Sequence, residues 1–340
     1  MTAAIHGSRP AAVVCGLGGG TPPRAVTNDE LAERLDTTDE WIRSRTGIGQ
    51  RYVIEPGMST GSLAVEAGSR ALKSAGLGSV GLVVLATTTP DRPCPATAPE
   101  VAARLGMTGV PALDVGAVCA GFVYALSVAA ALIVSDTVRD ALVVGADTFS
   151  TLLHPADRGA GVIFGDGAGA VVLRRGRSEE PGALGPFDLG TDGEHAELIQ
   201  IPGGGSAQRA GGEPTRAHDH YFTMQGRAVF KHAVLRMTGS VRQALHRAHW
   251  AVEDVDRVAA HQANSRILAA LAEQLGMPQD RFLSNIDRVG NTAAASVPLL
   301  LNDAVADGAL RPGDRVVLTS FGGGLAWGTT TLRWPELDIA

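Results

Sequence analysis

The sequence predicts an α/β fold made of two similar halves packed together, and three observations carry that reading. Short apolar runs of four to eight residues alternate with Ala-rich helical stretches along the whole chain. Several of the runs are apolar on both faces, as in central strands covered from both sides. The second half repeats the plan of the first: strand, turn bearing a reactive side chain, Ala-rich helix, strand. Length agrees, since 340 residues at roughly 150 per domain correspond to about two units.

Taken in order, residues 11–17 (AAVVCGL) form an apolar strand and 60–75 the first Ala-rich helix. Strands follow at 80–87, 112–118, 141–146 and 168–173, with helices at 98–105 and 121–135 between them. In the second half, 225–249 is a long helix, 257–260 a strand, and 265–275 and 292–307 helices. Strands at 315–319 and 326–333 close the chain. The polar, glycine-rich stretch 203–220 is expected as a flexible surface loop near the junction of the halves.

Composition removes whole classes of function. With 45% hydrophobic and 19% charged residues the chain buries a large core. A net charge of −6 excludes a strongly basic nucleic-acid binder. Eight Phe, four Trp and three Tyr are too few for a protein that reads bases by stacking. The longest apolar stretch, 122–134, is broken by Ser127 and is too short to span a bilayer. Residues 1–10 lack the apolar core of a signal peptide. Three cysteines cannot build a disulfide framework, so a cytoplasmic protein is expected.

Of those cysteines, Cys15 sits inside an apolar strand and reads as structural. Cys94 lies between two prolines with no base beside it in sequence. Cys119 follows a strand and opens a helix, where the helix dipole favours thiolate and Gly121 permits close approach. The plain alternative is a small core residue at a tight turn. His261 ends a strand and opens a helix, a place where side chains enter a crevice at the strand's C-terminal edge. Asn291 opens a helix after a glycine turn, where a simple N-cap would also serve. Residues 320–327 (SFGGGLAW) place three glycines after a strand, a turn able to offer N–H groups to an oxyanion. Residues 165–169 (GDGAG) are followed by a strand where a dinucleotide fingerprint demands a helix, so no such cofactor is expected. His218 and His220 lie in the polar loop, and no metal site is expected.

Thiolate, imidazole, amide and glycine turn together suit acyl transfer followed by carbanion attack. The thiolate takes an acyl group as a thioester. Imidazole and amide then hydrogen-bond the enolate left when a malonyl thioester loses CO₂, so no general base is needed.

Residues 114–122 (DVGAVCAGF), 261–264 (HQAN), 290–292 (GNT) and 321–324 (FGGG) together resemble β-ketoacyl-acyl-carrier-protein synthase III, of the thiolase superfamily. The similarity runs from about residue 13 to 333. It implies a thiolase-like five-layered αβαβα fold, with an N-terminal half at 1–175 carrying the nucleophile and a C-terminal half at 176–340 carrying the His and Asn. It also implies a homodimer that uses acyl-CoA and malonyl-acyl carrier protein, with no cofactor. By the same resemblance Cys119 is the acylated nucleophile, and His261 with Asn291 stabilises the enolate. Cys119 and Gly323 supply oxyanion N–H groups, and Phe321 lies beside the His–Asn pair. Within 39–47 (DEWIRSRTG), Trp41 stacks on adenine and Arg45 meets phosphate, while Arg158 covers the other adenine face. Asn264 and Gly226 touch the pantetheine arm, Phe230 lines the tunnel, and Lys231 and Arg266 meet the acidic carrier.

One position departs from the pattern. Members that use acetyl groups often carry a bulky aromatic where this chain has Cys94, and that residue caps the partner subunit's acyl pocket. A smaller side chain leaves room for a longer or branched primer. Thiolase itself is disfavoured, because it needs a second cysteine in the C-terminal half. A 3-hydroxy-3-methylglutaryl-CoA synthase lacks its acidic base here. The alternative enzyme reading is an acyltransferase to a hydroxyl or amine of another metabolite. A scaffold subunit would lack Cys119.

Overall fold

The computed structural model describes residues 8–211 and 216–339. Residues 1–7 of the stretch read for a leader, and residues 212–215 of the expected loop, lie outside the described residues.

In chain order the strands are β1 (Pro10–Gly20), β2 (Arg24–Thr27), β3 (Gln50–Val53), β4 (Val83–Ala86), β5 (Ala112–Val115), β6 (Asp140–Asp147), β7 (Gly167–Arg177), β8 (Asp188–Thr191), β9 (Ile199–Gln200), β10 (Thr223–Met224), β11 (Arg257–Ala260), β12 (Arg315–Gly322) and β13 (Ala326–Arg333). Two sheets matter. The first has the order β1-β7-β6-β4-β5 and the second β11-β12-β13-β8. In the first, β4 is parallel to β5 and β6, and β7 is antiparallel to β1 and β6. In the second, β11 and β12 are parallel, and β13 is antiparallel to both β12 and β8.

Helices form three layers around the two sheets, making five in all. Helices Thr60–Ser74 and Ala98–Arg104 cover the outside of the first sheet. Helices Gly121–Val134 and Ser296–Ala306 lie between the sheets, touching strands of both. Helix Gly226–Ala248 covers the outside of the second sheet, with Ser265–Leu275 packed on it. One apolar cluster, built around Phe122, Leu126, Ile133, Val297, Leu301 and Trp334, fills the middle. This is the thiolase-like αβαβα architecture. The central layer approaches the first sheet closely because Gly145 and Gly169 lack side chains. A Cβ on Gly169 would meet the backbone N of Leu299 at 2.5 Å, and one on Gly145 would run into the Ala294 carbonyl.

Several element bounds differ from expectation for physical reasons. Strand 112–118 stops at Val115 because Val118 adopts φ +47° in the turn that presents Cys119. Strand 315–319 runs on to Gly322, because the hairpin with β13 pairs Phe321 with Trp327 and Gly322 with Ala326. The helix expected from 292 starts at Ser296, after a 3₁₀ turn at Ala293–Ala295 where Ala293 takes φ +49°. The stretch expected as an irregular loop holds a helix at Ser206–Gly211 and a 3₁₀ turn at Ala217–His220. Strand β7 ends at Arg177, slightly beyond the expected 175/176 boundary. Among the described residues, no helix is long and apolar enough to cross a membrane.

Candidate active site

The two halves meet where the C-terminal ends of β5, β11 and β12 point together. Cys119 sits on the 3₁₀ turn Val118–Ala120, which leads directly into helix Gly121–Val134. His261 follows β11, and its backbone N–H donates to the Thr319 carbonyl at 2.9 Å. Asn291 follows Gly290, whose φ of +69° lets the chain turn back beside Phe164. Its N–H donates to the Ile163 carbonyl at 3.0 Å. Gly322 ends β12 against the nucleophile's turn, and a Cβ there would meet the Cys119 backbone N at 2.7 Å.

Cys119, His261 and Asn291 line one cavity of about 40 Å³. Their relative exposures are 8%, 3% and 4%. Four of the chain's eight Phe (149, 164, 222 and 321) share the wall. Phe149 stacks on Phe164 at 4.1 Å between centroids, and Phe222 meets both edge-on. A larger open groove of about 890 Å³, bordered by Phe187 and Trp250, contains none of these residues.

Burial sets the protonation states. It pushes the Cys119 thiol far up, and the negative charge of Asp147 adds to the effect. The lowered thiol expected from the helix N-terminus is therefore not the resting state: desolvation outweighs the dipole. Burial drives His261 down to about 3, so its imidazole is neutral. Its Nδ1 finds no partner among the described residues. Asn291 Oδ1 accepts from the Ala293 N–H at 2.9 Å, which leaves the NH₂ group to donate.

Asp147 ties the two halves together behind the thiol. One oxygen accepts from the Thr87 and Thr89 hydroxyls and the Thr88 and Thr89 N–H groups at 2.7 to 3.1 Å. The other accepts from the Ala294 N–H at 2.9 Å, on the Asn291 turn. Its carboxyl rises to about 6 because burial outweighs those bonds.

A second group gathers on the surface. Trp41, on helix Asp39–Thr46, has the Arg45 and Arg158 guanidiniums 5.0 and 4.9 Å from its ring centroid. Arg158 also donates to the Asp36 carbonyl at 2.8 Å. Asn264 caps helix Ser265–Leu275 through the Arg266 N–H and donates to the Arg45 carbonyl at 3.1 Å. Arg266 is anchored on the Ser44 carbonyl at 2.9 Å. Both residues thus brace the helix that carries Trp41. Gly226 starts helix Gly226–Ala248, and Lys231 is exposed beside it. Phe230, expected in a tunnel wall, packs against the outer core, and Val229 of the same turn lines the cavity instead. Gly323 follows Gly322 and abuts Ile199, and Cys94 is exposed outside the cavity. Cys15 is half-buried in β1, with its thiol raised to about 11 by burial.

Sequence reasoning missed Asp147, Phe149, Phe164 and Phe222. Scarcity was the available signal, because in a chain with eight Phe their positions beside turns mark a wall that few other residues can build.

Thiol chemistry in an apolar cleft between two αβα halves defines a thiolase-like, acyl-transferring condensing enzyme. Residues 113–193 and 245–334 match the family models described as 3-oxoacyl-[acyl-carrier-protein] synthase III and its C-terminal part. The chain is 59% identical over 327 residues to beta-ketoacyl-[acyl-carrier-protein] synthase III 5 of Streptomyces coelicolor, covering 96% of this chain and 98% of that one. The crystal structure of 3-oxoacyl-(acyl carrier protein) synthase III from Pseudomonas aeruginosa PAO1 matches with a TM-score of 0.91 and 51% identity, over 96% of this chain and 99% of the other. The priming beta-ketosynthase of the R1128 polyketide biosynthetic pathway matches with a TM-score of 0.89 at 35% identity, over 97% of each chain. The chain belongs to the 3-oxoacyl-[acyl-carrier-protein] synthase III family.

Proposed function

We propose that the cavity condenses an acyl-CoA primer with malonyl-acyl carrier protein, initiating fatty-acid or polyketide synthesis. The observation that carries this is the convergence of Cys119, neutral His261 and the free NH₂ of Asn291 in one small, mostly apolar cavity. The Cys119 sulfur attacks the primer thioester, the bond to CoA breaks, and the thiol proton leaves with the CoA sulfur. The backbone N–H groups of Cys119 and Gly323 hold the oxyanion. Malonyl carrier then loses CO₂, and His261 and Asn291 donate to the enolate oxygen. The enolate carbon attacks the acyl-Cys119 carbonyl, releasing 3-oxoacyl carrier and the thiolate. Neutral His261 suits this role as a donor and is a poor base, which fits a reaction whose carbanion comes from decarboxylation. No cofactor enters any step.

In the same reading Trp41, Arg45 and Arg158 hold the nucleotide end of CoA. Gly226 and Asn264 flank the pantetheine arm, Phe321 lies beside the His261–Asn291 pair, and Lys231 and Arg266 face the carrier. The halves 1–175 and 176–340 divide the labour between nucleophile and enolate pair. A homodimer is supported by β5, an edge strand with no outer neighbour among the described residues. Cys94 would border the partner's acyl pocket, and the range of primer lengths accepted tests that placement. Three unpaired cysteines support a cytoplasmic setting.

His261→Ala separates the steps. Acylation of Cys119 should persist, while loss of an enolate donor lowers condensation by about 10²–10³-fold. Equal loss in both half-reactions would contradict the assignment, and acylation of Cys119 with no condensation even in the unaltered protein would favour the acyltransferase reading.

A further inference from the structure

Outside the cavity, Asp192, His195 and His232 form a cluster whose ligand-capable atoms all lie within 4.8 Å of one another. Asp192 is fixed from behind. Its backbone exchanges hydrogen bonds with Leu325 at 2.8 and 2.9 Å, and Arg236 holds its Oδ2 at 2.8 Å. Its Oδ1 meets His195 Nδ1 at 3.0 Å, and the His195 and His232 ring centroids lie 4.6 Å apart with their planes tilted by 49°. His232 Nδ1 is buried with no partner among the described residues. A buried unpartnered nitrogen is costly, and the neighbouring imidazole and carboxylate give it no hydrogen bond that relieves that cost.

We propose that Asp192, His195 and His232 bind a divalent ion of the zinc class, with water completing the coordination. Two imidazoles and one carboxylate are a common zinc donor set, and borderline nitrogen ligands favour zinc over magnesium or calcium. Tetrahedral zinc places ligand atoms about 3.3 Å apart, so the side chains close by up to about 1.5 Å. His195, with a side chain 41% exposed, has the freedom to make that movement, whereas Asp192 at 11% is already set. Arg236 stays on the far carboxylate oxygen and orients it. The ion joins the turn Gly193–Leu198 to helix Gly226–Ala248 and, through Leu325, to the glycine turn after β12. This inference does not rest on the condensation reading.

The test uses the full chain, stripped with a chelator and titrated with zinc chloride, then with cobalt(II). The expected result is one zinc per chain, a melting midpoint raised by a few degrees, and visible cobalt bands without thiolate charge transfer. His195→Gln and His232→Gln should abolish all three, and Cys94→Ser should keep them. No stoichiometric uptake at micromolar zinc would overturn the proposal. So would uptake that survives both His variants, or a cobalt–thiolate band showing that the metal goes to cysteine.

Discussion

Asp147→Asn is the most informative single change, because the structure predicts that it separates stability from catalysis. The amide keeps one acceptor, which remains with the four donors of the 87–89 segment. Its NH₂ then faces the Ala294 N–H, and the bond at 2.9 Å is lost. Leaving that donor unsatisfied costs about 1–3 kcal/mol. Against this, the wild-type carboxyl is raised from 3.8 to about 6, so holding it ionised at pH 7 already costs about 3 kcal/mol relative to the unfolded chain. The two terms nearly cancel, and the melting midpoint at pH 7 should move by no more than a few degrees. The pH dependence carries the sign. Stability owed to this group is full below the unfolded value and is lost as pH rises through about 6, because the folded protein binds the extra proton. The variant should lack that decline between about 4 and 6. Catalysis should respond differently, since Ala294 belongs to the turn that aims Asn291, and a misplacement near 1 Å costs about 10²-fold. Acylation of Cys119 should hold or quicken, because a neighbouring negative charge is gone. Stopped-flow acylation, steady-state condensation and melting curves across pH measure all of this. Condensation unchanged, or acylation and condensation falling together, would refute the positioning role.

Two further outcomes follow from burial and from close contact. With its thiol far above the ordinary range, Cys119 should be alkylated at a rate that climbs about tenfold per pH unit through pH 9; a plateau near neutrality would mean that the helix N-terminus governs. Gly322→Ala forces a methyl against the Cys119 backbone N at 2.7 Å, so it should cost about 1–3 kcal/mol of stability and slow acylation, and wild-type acylation would contradict that packing.

The central strands were legible because β4, β6 and β7 are apolar on both faces, a pattern that only double coverage explains. The edge strand β8 and the ribbon strands β2, β3, β9 and β10 were not, since runs of two to four partly polar residues carry no usable period. Cys119, His261 and Asn291 stood out because each follows a strand or a glycine turn, and the fold brings those three turns to one cavity. The thiol's ionisation was misjudged for a tertiary reason. Local sequence shows the helix start, whereas the Phe149–Phe164–Phe222 wall and buried Asp147 come from segments 28 to 103 residues away. Asp147 itself reads in sequence as an ordinary strand-end residue, and only packing reveals its five hydrogen bonds, four to the Thr87–Thr89 segment and one across to Ala294 on the Asn291 turn.

The most direct measurement is the intact mass of the carrier after incubation with this protein, malonyl carrier and a panel of acyl-CoAs from acetyl to octanoyl, branched chains included. The account predicts a carrier mass equal to malonyl minus CO₂ plus one acyl group, and the best substrate identifies the primer. A carrier that stays malonylated while Cys119 becomes acylated would contradict condensation and assign the acyl group to another acceptor.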